Sequence, residues 1–277
     1  MFKQSAFAIW RKEQENKKII SLIKDLDVSL DGGIPLGQIT EFCGSSGTGK
    51  TQLCLQLCIN VQLPQAAGGL GGKAFYIDTN QGFSPFRLKE IAEHMEARCQ
   101  RNSTKCHNFN LTTILNNITY VYCNNYCALM ASILNLHNLL QEEHEEIPLK
   151  LMVIDSYAFV LRQLDDVDLR TRVNYEILTD LHNLAMKYGI AIVITNELTT
   201  RCRDNTNWFV CTALGDTHTH KINTRLLLSK DSNEMEDCAA DQNYHIVMIE
   251  KSVVCKRMAF RFKIKPSGIH SITTRQT

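Results

Sequence analysis

The sequence predicts an α/β domain, a mostly parallel sheet with helices on its faces, and two observations carry that prediction. Short apolar runs alternate with longer segments of helical pattern, the order expected of strands joined by crossover helices. The first run leads into Gly44, Ser45, Ser46, Gly47, Thr48, Gly49, Lys50 and Thr51, which spell G-x-x-x-x-G-K-T, a loop that needs a strand before it and a helix after it. At 277 residues, 44% apolar and 21% charged, the chain is long and ordinary enough for one large core, so disordered and fibrous classes are excluded.

In chain order, strands are predicted at 38–43, 73–78, 118–123, 149–155 and 190–196, with helices at 50–62, 85–98, 127–142 and 169–187 between them. Further strands are predicted at 223–229, 244–251 and 258–264. The last two are separated by a short polar turn and therefore read as an antiparallel hairpin. Gly68, Gly69, Gly71 and Gly72 form a loop, 100–110 and 231–243 are polar loops, and Glu142, Glu143, Glu145 and Glu146 read as a solvated acidic edge. Residues 1–28 are assigned to an N-terminal linker or helix and 29–277 to the core.

A formal charge of +1 excludes a protein that grips nucleic acid by bulk positive charge, so any such contact must be local. Residues 1–18 have no continuous apolar stretch that would make a secretory signal, and no run is long enough to span a bilayer, so an intracellular protein is expected. The eleven cysteines contain no Cys-x-x-Cys pair and are read as reduced, partly buried small hydrophobes rather than a zinc or disulfide framework.

The loop at 44–51 fixes the expected ligand as a nucleoside triphosphate with Mg²⁺. Its glycines let backbone N–H groups turn toward phosphate oxygens at a helix N-terminus, Lys50 reaches the β- and γ-phosphates, and the Thr51 hydroxyl faces the metal. Asp155 closes the apolar run Leu151, Met152, Val153 and Ile154, where a second, water-mediated metal contact is expected. Ligands of open α/β sheets gather at the carboxyl ends of strands, so Asp78, Asp155 and Asn196 are expected on the edge that carries Lys50.

Beyond the loop, the chain resembles the RecA-type recombinases, and within them the eukaryotic Rad-fifty-one group. The resembling segments are 30–35, the phosphate loop followed by Gln52, Leu53 and Cys54, 76–79, 194–196 and 224–226, so that nearly everything from about residue 20 to 270 is covered. Segments 164–172, 213–215 and 264–268 are especially similar to the branch labelled C. The resemblance implies a RecA-like ATPase core acting in the nucleus, ATP-dependent assembly on single-stranded DNA, and a place in recombinational repair and meiosis. It also implies that Gln52 lies at the nucleotide, that Arg87 packs on adenine, and that a phosphate-linked histidine stands at His220, although Asp216, His218 and His220 also alternate as metal ligands do. The loops after the fourth and fifth strands would face DNA, placing Arg162, Arg201 and Arg203 on phosphates with Trp208 and Phe209 nearby to stack on bases.

Three departures shape the functional expectation. The loop begins at Gly44, leaving no room for the group's usual small helical N-terminal domain, and no Phe-x-x-Ala assembly anchor occurs. Relatives place a water-activating Glu where this chain has Asn80, and a γ-phosphate-sensing Gln where it has Glu197, as if amide and carboxylate were exchanged. An amide cannot accept the water proton, so weak DNA-dependent ATPase activity is expected from Asn80. The first reading is therefore an accessory subunit that binds ATP, joins other paralogues and the recombinase, and helps assemble its filament. The alternatives are a competent DNA-dependent ATPase using Glu197, and a P-loop kinase or transporter ATPase.

Overall fold

The structure is a computed structural model that describes residues 5–15, 18–102, 109–142, 147–202, 208–231 and 244–272. Its strands are β1 (Ile39–Cys43), β2 (Lys73–Asp78), β3 (Ile118–Tyr122), β4 (Leu149–Asp155), β5 (Ala191–Asn196), β6 (Leu198–Cys202), β7 (Trp208–Thr212), β8 (Thr224–Lys230), β9 (Tyr244–Lys251), β10 (Ala259–Lys265) and β11 (Gly268–Ser271). The helices are α1 (Ala6–Glu15), α2 (Lys24–Ser29), α3 (Lys50–Asn60), α4 (Pro85–Asn102), α5 (Leu111–Asn116), α6 (Tyr126–Glu142), α7 (Tyr157–Arg162), α8 (Val167–Tyr188) and α9 (Gly215–Lys221).

A parallel strand covered on both faces must be apolar on both, and the side chains of the central strands divide accordingly between two cores. Ala74 and Tyr76 of β2, Leu151 and Val153 of β4, and Ala191 and Val193 of β5 face one cluster with α3 and α4. Phe75 and Ile77, Met152 and Ile154, and Ile192 and Ile194 face the other with α6 and α8. The resulting nine-stranded sheet has the order β11-β10-β9-β8-β1-β5-β4-β2-β3. Pairing is parallel from β3 through β8 and antiparallel from β8 to β11, so the predicted C-terminal hairpin is the middle of a longer antiparallel set. Ile19, Ile23, Leu26 and Leu30 are buried in the first core, which joins the segment before β1 to the sheet. Among the described residues no helix is long and apolar enough to cross a membrane.

Several predicted bounds agree to the residue, as at β2, β4 and β9, and the misses have local causes. Helix α4 runs four residues beyond the predicted 98. Helix α5 begins directly after the predicted 100–110 loop, where the Asn110 side chain accepts the Thr113 N–H at 2.9 Å and caps a segment too short to show periodicity. The pair β6 and β7 forms a separate antiparallel ladder between β5 and α9, where only a loop was expected. The 231–243 loop lies outside the described residues beyond Asp231.

One charged group is entirely enclosed by this fold. Glu41 of β1 meets His218 Nε2 at 2.6 Å, accepts from Asn196 Nδ2 at 2.7 Å, and accepts from Arg225 Nε. Burial alone would raise its pKa. The hydrogen bond and charge of His218, with Arg225, outweigh burial and hold the carboxyl at about 2, below its ordinary 4.5. A depressed carboxylate pKa stabilises the fold fully above the unfolded value, and this stabilisation is lost as pH falls through the folded one. Wild-type stability is therefore expected to drop between about pH 4.5 and pH 2, and Glu41→Gln should flatten that drop. At pH 7 the same variant should cost roughly 3 kcal/mol, since the buried Arg225 guanidinium loses its close carboxylate and keeps only the more distant Glu250 at 3.7 Å. Urea midpoints at stepped pH check both; a variant with unchanged pH dependence would remove Glu41 from this role.

Candidate nucleotide cleft and an adjoining arginine cavity

The turn from β1 into α3 is shaped by positions where a side chain cannot fit. A Cβ on Gly44 would stand 2.4 Å from the Leu228 carbonyl oxygen, and Gly49 has φ +97° with the Ile264 side chain 2.8 Å from where a Cβ would be. Thr48 donates its hydroxyl to the Ser45 carbonyl at 2.9 Å, closing the loop on itself. The Lys50 ammonium lies back along the loop, donating to the Gly44 and Ser45 carbonyls at 2.6 and 2.9 Å. Burial lowers its pKa, while the charges of Asp155 and Glu197 act in the opposite direction.

Parallel register brings the other expected groups to this edge. Asp78 and Asp155 are register partners at the ends of β2 and β4, and Asn196 ends β5 beside Cys43. The Asp155 carboxylate accepts three hydroxyls: Thr51 at 2.6 Å, Tyr76 at 2.8 Å and Thr195 at 2.6 Å. Asp78 instead organises the next turn, accepting the Asn80, Gly82 and Phe83 N–H groups at 3.2, 3.2 and 3.1 Å. Asn80 is part of that turn, its Oδ1 accepting the Gly82 N–H at 3.1 Å. Asn196 uses its amide to bind Glu41 and the Ala213 carbonyl, and its Oδ1 receives the Glu197 N–H at 2.8 Å.

A cleft of about 690 Å³ opens along this edge, lined by Ser46, Gly47, Gly49, Lys50, Thr51, Gln52, Asn80, Asp155, Ser156 and Glu197. The Ser156 hydroxyl oxygen is buried there without a partner among the described residues. Hard oxygens on Thr51 and Asp155 suit magnesium, the glycine turn suits phosphate, and the unpartnered Ser156 hydroxyl offers a further polar contact, so the residues present fit a magnesium triphosphate. Sequence reasoning missed the far wall, formed by Lys230, Asp231, Tyr244, His245 and Ile264. Strand β8 lies next to β1, so Lys230 at its carboxyl end could have been placed on this edge from the strand order.

Arg87 sits beside the cleft, not in its lining. Its Nε donates to Gln52 Oε1 at 2.7 Å, and its other nitrogens donate to the Lys265 and Pro266 carbonyls at 2.6 and 2.8 Å and to Glu90. On α9, His218 is buried against Glu41 while His220 is exposed and outside the cleft lining. Among the described residues no cluster of three or more His, Cys, Asp or Glu is placed to hold a metal ion.

A second cavity, about 420 Å³, adjoins the first. Arg162, Arg170, Asn174, Thr199, Arg201 and Asp216 line it. The Arg170 Nε is buried without a partner among the described residues, and Arg201 approaches Asp216 at 3.7 Å. Arg162 reaches out of this cavity and pairs with Glu197, which lines the nucleotide cleft. The β6–β7 ladder next to it exposes Trp208, Phe209 and Val210, whereas Arg203 lies outside the described residues. A larger cavity, about 790 Å³ near Ile20, Leu22 and Ile269, lies apart from these groups.

Comparison with known proteins follows this geometry. A model of the family described as Rad51 matches residues 12–270. The chain is 32% identical over 276 residues to "DNA repair protein RAD51 homolog 3" of Cricetulus griseus, covering 96% of this chain and 72% of that protein. The protein of that name in Dictyostelium discoideum is 34% identical over 221 residues, covering 77% of this chain and 57% of its own length. "DNA repair protein RAD51 homolog 2" of Homo sapiens is 30% identical over 271 residues, covering 88% of this chain and 66% of its own length.

Lys50 is the only cation that rises from the glycine turn itself, and Arg cannot occupy its place without displacing the two carbonyl contacts. Lys50→Ala and Lys50→Arg are each expected to weaken binding of a fluorescent ATP analogue by at least about tenfold, because a charge-assisted phosphate contact is lost. Unchanged affinity in both would remove the loop from the nucleotide site.

Proposed function

The chain belongs to the Rad51 family, and from that premise we propose that it is an ATP-binding recombinase paralogue of homologous recombination and DNA double-strand break repair, including the meiotic kind. In this reading it is a nuclear, accessory subunit that joins other paralogues and the recombinase in a hetero-oligomer and helps assemble or remodel the recombinase filament on single-stranded DNA. The observation that carries the reading is the convergence of Lys50, Thr51 and Asp155 in one cleft that shares a wall with an arginine-lined cavity. The kinase or transporter alternative loses its footing with the family assignment.

The residues divide the work by their chemistry. Backbone N–H groups of the loop and the Lys50 ammonium hold the phosphates, and Lys50 must leave its carbonyl contacts to do so. Thr51, and Asp155 through water, would hold magnesium, which supplies charge neutralisation at the phosphates. Asp155 already sits in a ring of hydroxyls that keeps it pointed at Thr51. Arg87 and Gln52, joined to the β10–β11 turn, form the edge on which adenine would pack, and exposed His220 would meet a phosphate only across a subunit boundary. The absence of a Phe-x-x-Ala anchor supports capped, mixed assembly over a self-made filament.

The DNA contact is assigned to Arg162, Arg201 and Arg203, with Trp208 and Phe209 offering stacking surfaces, and the cavity adds Arg170 to that set. Each phosphate neutralised on a single strand contributes about −0.7 to the slope of log affinity against log salt. The Arg170→Ala, Arg201→Ala double variant is therefore expected to flatten that slope by about 1.4 on unrelated oligodeoxynucleotides alike. Preserved slope and affinity would assign the cavity to partners instead. Electron microscopy of the purified chain with ATP and single-stranded DNA is expected to show no long filaments until a second paralogue is added; long filaments of this chain alone would overturn the accessory reading.

A further inference from the structure

One ion pair is the shared wall of the two cavities. Glu197 lines the nucleotide cleft beside Lys50, Thr51 and Asp155, and Arg162 lines the arginine cavity beside Arg170 and Arg201. The two side chains bond to each other, with the Arg162 guanidinium donating to a Glu197 carboxylate oxygen. Both keep partial solvent access, 51% and 41% exposed. Pairs of that exposure contribute about 0 to 1 kcal/mol, so a stronger anion can take the guanidinium away.

We propose that Glu197 is the general base for ATP hydrolysis and that Arg162 masks it until a nucleic-acid phosphate draws Arg162 into the arginine cavity. The proposal rests on the ATP and DNA reading above. Three observations select Glu197. Of the carboxylates that line the cleft, Asp155 holds the Thr51, Tyr76 and Thr195 hydroxyls and Asp231 pairs with Arg261, which leaves Glu197. Asn80, which also lines the cleft, has no proton-accepting carboxylate and uses its amide oxygen on Gly82. The backbone of Glu197 is fixed by the Asn196 side chain, so its carboxylate is anchored at the cleft edge.

While paired, one Glu197 oxygen is taken by the guanidinium, whose positive charge opposes the arrival of a proton. Released, it takes a proton from water as the water oxygen attacks the γ-phosphorus. The bond from γ-phosphorus to the bridging oxygen breaks, ADP leaves with the electron pair, and inorganic phosphate is formed. Phosphate oxygens compete for Arg162 because guanidinium binds them bidentately, and Arg170 and Arg201 raise the local positive charge that attracts them. The released carboxylate also adds negative charge near the terminal phosphate, so unmasking must weaken ATP relative to ADP.

The test uses the full chain with any partner that co-purifies, and two readouts: nucleotide affinity by titration and turnover at saturating ATP. Arg162→Gln is expected to lower the ATP-to-ADP affinity ratio roughly fivefold and to raise DNA-free turnover on the order of a hundredfold, the lower end of general-base assistance. Arg162→Lys keeps the charge but not the guanidinium fork and should fall between wild type and Arg162→Gln in both readouts. Glu197→Gln should restore the affinity ratio and abolish the turnover gain, also in combination with Arg162→Gln. Oligo-dT added to wild type should reproduce the Arg162→Gln result. If wild type binds ATP yet Arg162→Gln changes neither readout, or gains turnover that survives Glu197→Gln, the mask is overturned. If wild type fails to bind ATP at all, the nucleotide reading falls first and the mask with it.

Discussion

Glu41 carries a negative charge with no access to solvent, a state tolerated only where partners are held against it from several sides. Those partners come from three other elements: Asn196 from the end of β5, Arg225 from β8 and His218 from α9. Each partner leads to functional ground. Asn196 holds the Glu197 N–H, Arg225 lies on the strand that ends at Lys230, and α9 contributes Gly215, Asp216 and Thr217 to the arginine cavity. A single enclosed carboxylate thus fixes one wall of each cavity, and its neutralisation would release both.

Two aspartates at matched register show how the same residue type diverges with its neighbours. Asp155 collects hydroxyls, which can yield to a metal shell without leaving a buried N–H unpaired. Asp78 collects backbone N–H groups, which cannot be given up without unfolding the turn that begins α4. The first arrangement is exchangeable and the second is structural. The same contrast separates Asn80, bound into that turn, from Glu197, whose carboxylate pairs with a half-exposed arginine.

How much of this was legible follows from where each signal is stored. The phosphate loop is stored in eight consecutive residues, and the central strands in unbroken apolar runs such as 151–154, so both were read directly. The Glu41 group was not, because its partners lie 155, 177 and 184 residues away and an acidic residue in a strand reads as solvated. Arg170 and Lys230 were passed over for the same reason: on a helix or a strand end, a cation is ordinarily a surface charge. The β6–β7 ladder has five-residue strands, β6 polar on both faces and β7 opening on three consecutive apolar residues, which leaves no alternation to count. Arg162 was read as a candidate site residue, but its pairing with Glu197 depends on α7, a six-residue helix with no periodic signature.

The global charge of the chain explains why such a local device is the one to expect. At +1 overall, long-range attraction contributes little to capturing a polyanion, so on the proposed reading capture falls to a short-range cluster of guanidinium groups. A cluster of like charges is costly to assemble without counter-charges. Asp216 stands near Arg201, and Glu197 pairs with Arg162, so two of the three arginines meet an acid from the chain itself. One of those acids belongs at the same time to the nucleotide cleft. Any anion that replaces Glu197 at Arg162 therefore alters the charge facing the nucleotide, and this coupling needs no backbone rearrangement, only the exchange of one weak ion pair for a stronger one.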